Sequence, residues 1–257
     1  MTAPDTQRIM DLVKEKTGHS VSVSVDDKIA THASMVSASS SMPMHLVKVH
    51  PKFGKYGDYL VAMQCAMLLI KWADPERIPD FVVLNNKAGH LEDKLAKQVS
   101  DKGMPTETAR QYAKTLVIGM LQQLNSIPIQ IIAMDMISEL CPGLRILQEE
   151  SVRNELREAS GIFTPQIKEL TPQEVFDRSA VLNATYAIKW SRVSGDTTGL
   201  IPYRSLGYLR RGERLLEMYE TISRKQDPDR YVETVDAWAE DLKMTFLYVW
   251  HFRRADR

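Results

Sequence analysis

The residues whose types and spacing bear most directly on chemistry lie in an uncharged, apolar segment, residues 59–70. Met63 and Met67 are four positions apart, and Gln64 follows the first of them. On a helix, side chains four residues apart project from one face, one turn from each other. Thioether sulfur is a soft, neutral ligand that suits Cu(I) better than Zn(II). The amide of Gln64 cannot take a proton from water, so it cannot serve as a general base.

The elements that must position these side chains are a helix and the short strands before it. Residues 59–70 contain no Gly, Pro or charged side chain and are apolar on nearly every face, which predicts a buried helix over residues 58–72. Upstream of this helix, hydrophobic periodicity predicts one helix and three short strands, over residues 5–17, 21–25, 29–37 and 44–50.

The spacing of Met63, Gln64 and Met67 is that of the zinc-binding helix of metallopeptidases, where His-Glu-x-x-His supplies two imidazole ligands and a general base. In this chain the five positions are Met63, Gln64, Cys65, Ala66 and Met67. The order of helix, short strands and apolar helix also resembles the minimal catalytic half of gluzincin-type zinc peptidases. In those folds an edge strand lies above the zinc helix and holds an extended substrate. The resemblance places that strand at His45, Leu46, Val47, Lys48 and Val49.

A second stretch, residues 120–148, resembles peptidase-like proteins of the IrrE and ImmA kind. In that family a glutamate on a later helix supplies the third zinc ligand, within a pattern of Asn, Pro and Asp followed by Pro-x-Leu-Arg and Gln. The positions that keep the pattern are Asn125, Pro128, Pro142, Leu144, Arg145 and Gln148. The chain departs from the pattern at the expected Asp, which is Gln130, and at the expected zinc ligand, which is Met134. The resemblance covers roughly residues 6–150.

The resemblance therefore implies the shape of a zinc peptidase without its chemistry. The two His ligands, the base and the Glu ligand correspond to Met63, Met67, Gln64 and Met134. A zinc hydrolase needs imidazole nitrogen or carboxylate oxygen and an open position for water. We therefore expect a catalytically inactive metallopeptidase-like protein, without a cofactor, that acts as a binding, regulatory or scaffolding module. Its partner would be a protein or peptide that adds as a strand along residues 45–49.

Two other functions stay open from the sequence. The first is binding of Cu(I) by the methionine cluster, which we define as Met63, Met67 and Met134. The second is a hydrolase with a relocated active site, drawn from His45, His50, His90, Glu92, Asp135 and Glu139. No Gly-rich phosphate loop or Gly-x-Ser-x-Gly elbow is present in the sequence to suggest another enzyme class.

Composition narrows the class of partner. The formal net charge is zero, so no overall field favours nucleic acid. Two cysteines make neither a disulfide framework nor a cysteine-based zinc site. The N-terminal residues lack the apolar core of a signal peptide, and we expect no membrane partner and a cytoplasmic location. Aromatic residues near the C-terminus leave room for a homo-oligomer contact.

The fold class follows from the order of the elements. Three short N-terminal strands followed almost entirely by helices predict an α+β protein with a small N-terminal antiparallel sheet, zincin-like helices and a mostly helical C-terminal region. We expect a zincin-like domain over residues 1–160 and a helical extension packed on it over residues 161–257. Within these, Pro128 is predicted to begin a new helix, and residues 228–252 are predicted to form the last helix.

Overall fold

The computed structural model describes residues 2–204, 207–225 and 227–255. Its first element, helix α1, spans Pro4–Thr17 and begins with a proline, whose missing N–H has no intrahelical partner to lose in the first turn. Gly18 ends the helix with a φ of 77°, and its N–H donates to the carbonyl of Lys14. The predicted helix and its stop at Gly18 are confirmed.

The three N-terminal strands form one mixed sheet. The strands are β1 (Val21–Val25), β2 (Ala33–Val36) and β3 (His45–Val49). They lie in the order β1-β3-β2, with β1 parallel to β3 and β2 antiparallel to it. Val47 lies opposite Val23 on one side and opposite Met35 on the other. The predicted sheet is therefore present, but only one of its two pairings is antiparallel.

The prediction that His45–Val49 is an edge strand is wrong. This strand is β3, which lies in the centre of the sheet with a strand on each side. Its alternate residues His45, Val47 and Val49 are all buried, whereas the flanking strands leave Val23 and Val36 exposed. A strand that buries one whole face is best placed in the middle of a sheet, and sequence order does not fix that position. A peptide cannot add to β3 because its backbone is already paired on both sides.

The apolar segment forms helix α2, which spans Gly57–Lys71 and is buried on most of its surface. Asp58 lies inside the first turn, where its carboxylate accepts a hydrogen bond from the N–H of Ala3 at 3.1 Å. This contact ties the start of α1 to the start of α2. Strand β4 (Ile78–Val83) and helix α3 (Asn85–Ser100) follow.

Helix α4 is longer than predicted, because it runs without interruption over Thr106–Leu140 with Pro128 inside it. We expected one helix to end before Pro128 and another to begin there. Burial overrides this expectation: Ile127, Pro128 and Ile129 are all buried, so packing offsets the backbone hydrogen bond that the proline cannot make.

Among the described residues, α4 is the one helix that is long and apolar enough to span a membrane, judged by length and hydropathy alone. However, 56% of its most apolar window is buried inside the protein, and a buried core helix passes the same test.

The rest of the described chain is mostly helical. A single turn over Pro142–Leu144 leads into α5 (Arg145–Ala159), α6 (Pro165–Leu170), α7 (Gln173–Ser194), α8 (Tyr208–Ser223) and α9 (Arg230–Asp241), and strand β5 (Tyr248–Arg253) follows. The predicted helix over residues 228–252 is wrong in its second half. Lys243 has a φ of 55°, which ends the helical path, and the aromatic and β-branched residues after it favour a strand. β5 pairs with β4 in a two-stranded sheet.

The fold is α+β, as the order of elements predicts, with small sheets and a mostly helical C-terminal region. The chain divides into two compact units that are discontinuous in sequence. The first unit holds the described residues of Met1–Pro79, Ile129–Asn154 and Phe252–Arg257, and the second holds those of Asp80–Pro128 and Glu155–His251. This division differs from the linear boundary expected near residue 160, because the long helix α4 contributes to both units.

Candidate functional site

The methionine cluster belongs wholly to the first unit, with Met63 and Met67 on α2 and Met134 on the C-terminal part of α4. Met63 and Met134 are buried, whereas Met67 and Gln64 are half-buried. Each fully buried side chain of this size stabilises a fold by about 1.5–3 kcal/mol. Core packing therefore accounts for Met63 and Met134, and convergence of the three sulfur atoms stays a prediction.

The zinc ion that metallopeptidases hold at the corresponding positions does not fit the side chains of this chain. Three of the positions offer thioether sulfur and the fourth, Gln64, offers an amide, whereas zinc sites use imidazole, thiolate or carboxylate ligands. Within the described residues, no group of three or more His, Cys, Asp or Glu side chains is arranged to hold a metal ion. The donor set therefore gives no basis for a zinc-bound water.

His45, the first residue of β3, is fully buried and uses both ring nitrogens. Its Nδ1 accepts a hydrogen bond from the N–H of Ala38 at 3.0 Å, so the proton of the neutral ring is on Nε2, which donates to Thr17 Oγ1 at 2.9 Å. Thr17 in turn donates to the carbonyl of Val13. Burial, with a smaller contribution from His19, lowers the pKa of His45 to about 4. His45 is thus an uncharged structural residue at neutral pH.

The other residues considered for a relocated active site are spread over the chain. His50 Nδ1 accepts the N–H of Lys52 and so caps the turn after β3. His90 is exposed on α3, in the second unit, together with the half-buried Glu92. Asp135 is half-buried and Glu139 exposed on α4, in the first unit. None of these positions forms a metal-binding group in the described structure.

Both cysteines of the first unit are buried. Burial, followed by the neighbouring Cys141, raises the pKa of Cys65 to about 12. Burial, followed by Asp5, raises the pKa of Cys141 to about 11. Because the thiolate is the nucleophilic form, both side chains are inert thiols at neutral pH.

The free edges of the N-terminal sheet are β1 and β2. On β2 the outer edge is partly closed, because the hydroxyl of Thr31 donates to the outward carbonyl of Ala33 at 2.9 Å. The backbone of β2 that faces β3 is paired, as shown by the N–H of His50 donating to the carbonyl of His32. This leaves β1 as the more open edge.

The outer edge of β1 presents regularly spaced backbone donors and acceptors. The N–H of Asp26 donates to the carbonyl of Val49 at 3.1 Å, so the even-numbered residues of this strand face β3. Backbone groups alternate in direction along a strand, so the N–H and C=O of the odd-numbered residues point away from the sheet. These residues are Val21, Val23 and Val25. No strand of the described structure pairs on that side of β1.

The side chains of β1 do not block this edge. The strand is Val-Ser-Val-Ser-Val, without the Pro, Lys or bulge that usually protects an edge. Val23 is 44% exposed and Val25 72% exposed. The sequence shows the alternation and the absence of charge in β1. Because the resemblance places the edge strand at residues 45–49, sequence reasoning missed these residues as candidates.

The geometry of the first unit therefore offers an open strand edge and a set of apolar side chains where the resemblance places catalytic groups. Neither feature can activate water or supply a nucleophile. Comparison with protein family models, curated proteins and solved structures gives no match to this chain.

Proposed function

We propose that this chain is a catalytically inactive metallopeptidase-like protein that acts as a binding module. We propose further that it takes up an extended peptide along the free edge of β1, and that regulation or scaffolding of a partner follows from this binding. The observation that carries the proposal is the open, unprotected edge of β1 in the first unit.

The chemistry of the expected catalytic positions supports the absence of hydrolysis. Gln64 cannot act as a base, and the buried Met63 and Met134 supply no ligand that zinc prefers. Two His and two Glu side chains without a metal would leave buried polar groups unsatisfied, which is costly. Apolar methionines at three of these four positions stabilise the helices instead.

The geometry of β1 supports strand addition. An added strand would form hydrogen bonds with the outward backbone groups of Val21, Val23 and Val25, which is how peptides bind sheet edges in several domain families. Backbone hydrogen bonds supply affinity that does not depend on sequence, and side chains beside the edge supply the preference for particular residues.

The neighbouring side chains predict the character of the peptide. Val23 and Val25 lie opposite Val47 and Val49 and share their face of the sheet. A peptide beside β1 would extend that apolar face with every second residue, because successive side chains alternate between faces. We therefore expect an extended segment in which β-branched or aromatic residues alternate with polar ones.

Selection of short random peptides displayed against the protein tests this proposal. The selected peptides are expected to show the apolar–polar alternation. Val23→Lys puts a charge on the apolar side of the edge and is expected to weaken a selected peptide about tenfold or more, because the ammonium group would be desolvated. Val36→Lys is the matched control: Val36 is 45% exposed on β2, close to the 44% of Val23, and should leave binding unchanged.

Two results would contradict the proposal. Equal binding of the selected peptides to wild type and to Val23→Lys would show that the edge of β1 is not the site. Stoichiometric zinc together with peptide hydrolysis that a chelator abolishes would show that the protein is an active peptidase.

A further inference from the structure

The second unit contains a cavity of about 170 Å³ between α4 on one side and, on the other, the segment that leads into α7 and the first turns of α7. On α4 it is lined by one stripe of residues at helical spacing: Tyr112, Leu116, Gly119 and Gln123. Phe176 and Thr171 are among the residues on the facing wall. The stripe extends about 16 Å along the helix. All the lining side chains are uncharged, and most are apolar.

One buried polar atom of this lining has no partner. The Oε1 atom of Gln123 is buried and accepts no hydrogen bond. Burying an unpaired amide oxygen is unfavourable, and such atoms in native proteins call for an explanation, such as a bound molecule. At the other end of the stripe, the hydroxyls of Tyr112 and Thr171 are 3.1 Å apart and satisfy each other. Gln123 is therefore the residue of this lining whose acceptor lacks a donor, and rotation of its side-chain amide would turn Oε1 towards the cavity.

The size of the cavity is set in part by Gly119. A Cβ atom built on this glycine meets no atom within 4 Å, so the wall of α4 is open there. A glycine in the middle of a helix weakens it by about 0.5–1 kcal/mol relative to alanine. Local helix stability alone therefore disfavours Gly119, whereas an occupant of the cavity next to α4 would gain space from it.

We propose that this cavity binds a small uncharged molecule that is mostly apolar and carries one N–H or O–H group, which donates a hydrogen bond to Gln123 Oε1. An apolar cavity of about 150 Å³ is able to hold a single benzene ring, so the occupant has about that size. A phenol or a short-chain alcohol has the required chemistry. The proposal concerns the second unit and does not depend on the function proposed for β1.

Phenol and toluene are the probes that test it, because they have nearly the same shape and differ in the donor. Each is titrated into wild-type protein while backbone amide resonances are recorded. Both are expected to shift resonances around the cavity. Gln123→Met keeps the length of the side chain but removes the acceptor, so it should weaken phenol about tenfold and leave toluene unchanged or tighter.

Two variants at Gly119 form a matched pair that tests whether the probes bind in this cavity. Gly119→Ala leaves most of the space and should keep both probes, whereas Gly119→Leu fills the cavity and should exclude both. Circular dichroism and thermal unfolding show whether Gly119→Leu is folded; if it is not, Gln123→Met still decides.

Three outcomes overturn the proposal. The first is that neither probe binds wild type, as expected if water alone occupies the cavity. The second is that a folded Gly119→Leu still binds the probes, which would place them elsewhere. The third is that Gln123→Met changes phenol and toluene equally, which would exclude the hydrogen bond.

Discussion

The burial of His45 predicts how stability depends on pH. An imidazole has an ordinary pKa of 6.5, and burial lowers that of His45 to about 4 in the folded chain. Between these two values the unfolded chain binds a proton that the folded chain does not. The free energy of unfolding therefore falls as the pH is lowered from 6.5 through 4, and the contribution of His45 is fully present above pH 6.5.

The separation of the two pKa values sets how much the free energy of unfolding falls. The loss is about 3 kcal/mol once His45 is fully protonated, and about 2 kcal/mol of it has already occurred at pH 5. The main structural reason is burial of the ring, which disfavours its charged form. In addition, a protonated Nδ1 can no longer accept the N–H of Ala38. Urea unfolding followed by circular dichroism at pH 7, 6 and 5 measures the loss.

The variant His45→Gln removes the titrating group. It should be less stable than wild type at pH 7, but its loss of stability between pH 7 and pH 5 should be smaller by about 2 kcal/mol. His90→Gln, which removes an exposed imidazole from α3, is the control and should behave as wild type does. The reasoning is refuted if wild type and His45→Gln lose stability in parallel over this range.

Three further predictions follow from packing, thiol burial and the methionine cluster. Gly212→Ala should lower the free energy of unfolding by about 1–3 kcal/mol, because the added Cβ would lie 3.0 Å from the backbone of α7. Gly119→Ala should instead raise the free energy of unfolding by about 0.5–1 kcal/mol, since alanine favours a helix more than glycine does. Urea unfolding measures both changes. Burial raises the pKa of Cys65 to about 12 and that of Cys141 to about 11. A disulfide reagent at pH 8 should therefore modify the folded protein slowly and the urea-unfolded protein rapidly. Fast modification of the folded protein would contradict this prediction. Anaerobic titration with Cu(I) should show no tight site, and stoichiometric binding that Met134→Leu abolishes would favour the soft-metal alternative.

Local patterns identify the first elements of this fold well. The stop at Gly18, the alternation over residues 21–25 and the apolar helix α2 each depend on neighbours in sequence, and all three are confirmed. The α+β class follows from the same local information.

The features that differ from the predictions depend on tertiary structure. The central position of β3 reflects which strand buries a whole face, and the sequence order of three strands does not determine it. The continuity of α4 through Pro128 depends on burial that only the folded chain supplies. The strand β5 replaces the end of a predicted helix after the turn at Lys243.

The candidate sites show the same limit. The sequence alone indicates that Met63, Gln64 and Met67 cannot perform zinc chemistry. It does not indicate that the free edge is β1, because pairing between strands is decided by the whole sheet. Nor does it indicate that Gln123 lies buried without a partner beside Gly119, because a cavity is formed by segments distant in sequence.

Amide hydrogen exchange at β1 tests the central claim most directly. In the free protein the outward amides of Val23 and Val25 should exchange rapidly, while those of Ser22 and Ser24, which face β3, should be protected. Adding a selected peptide should protect the valine amides and leave the peptide intact. Valine amides that stay unprotected at saturating peptide, or cleavage of the peptide, would contradict the account.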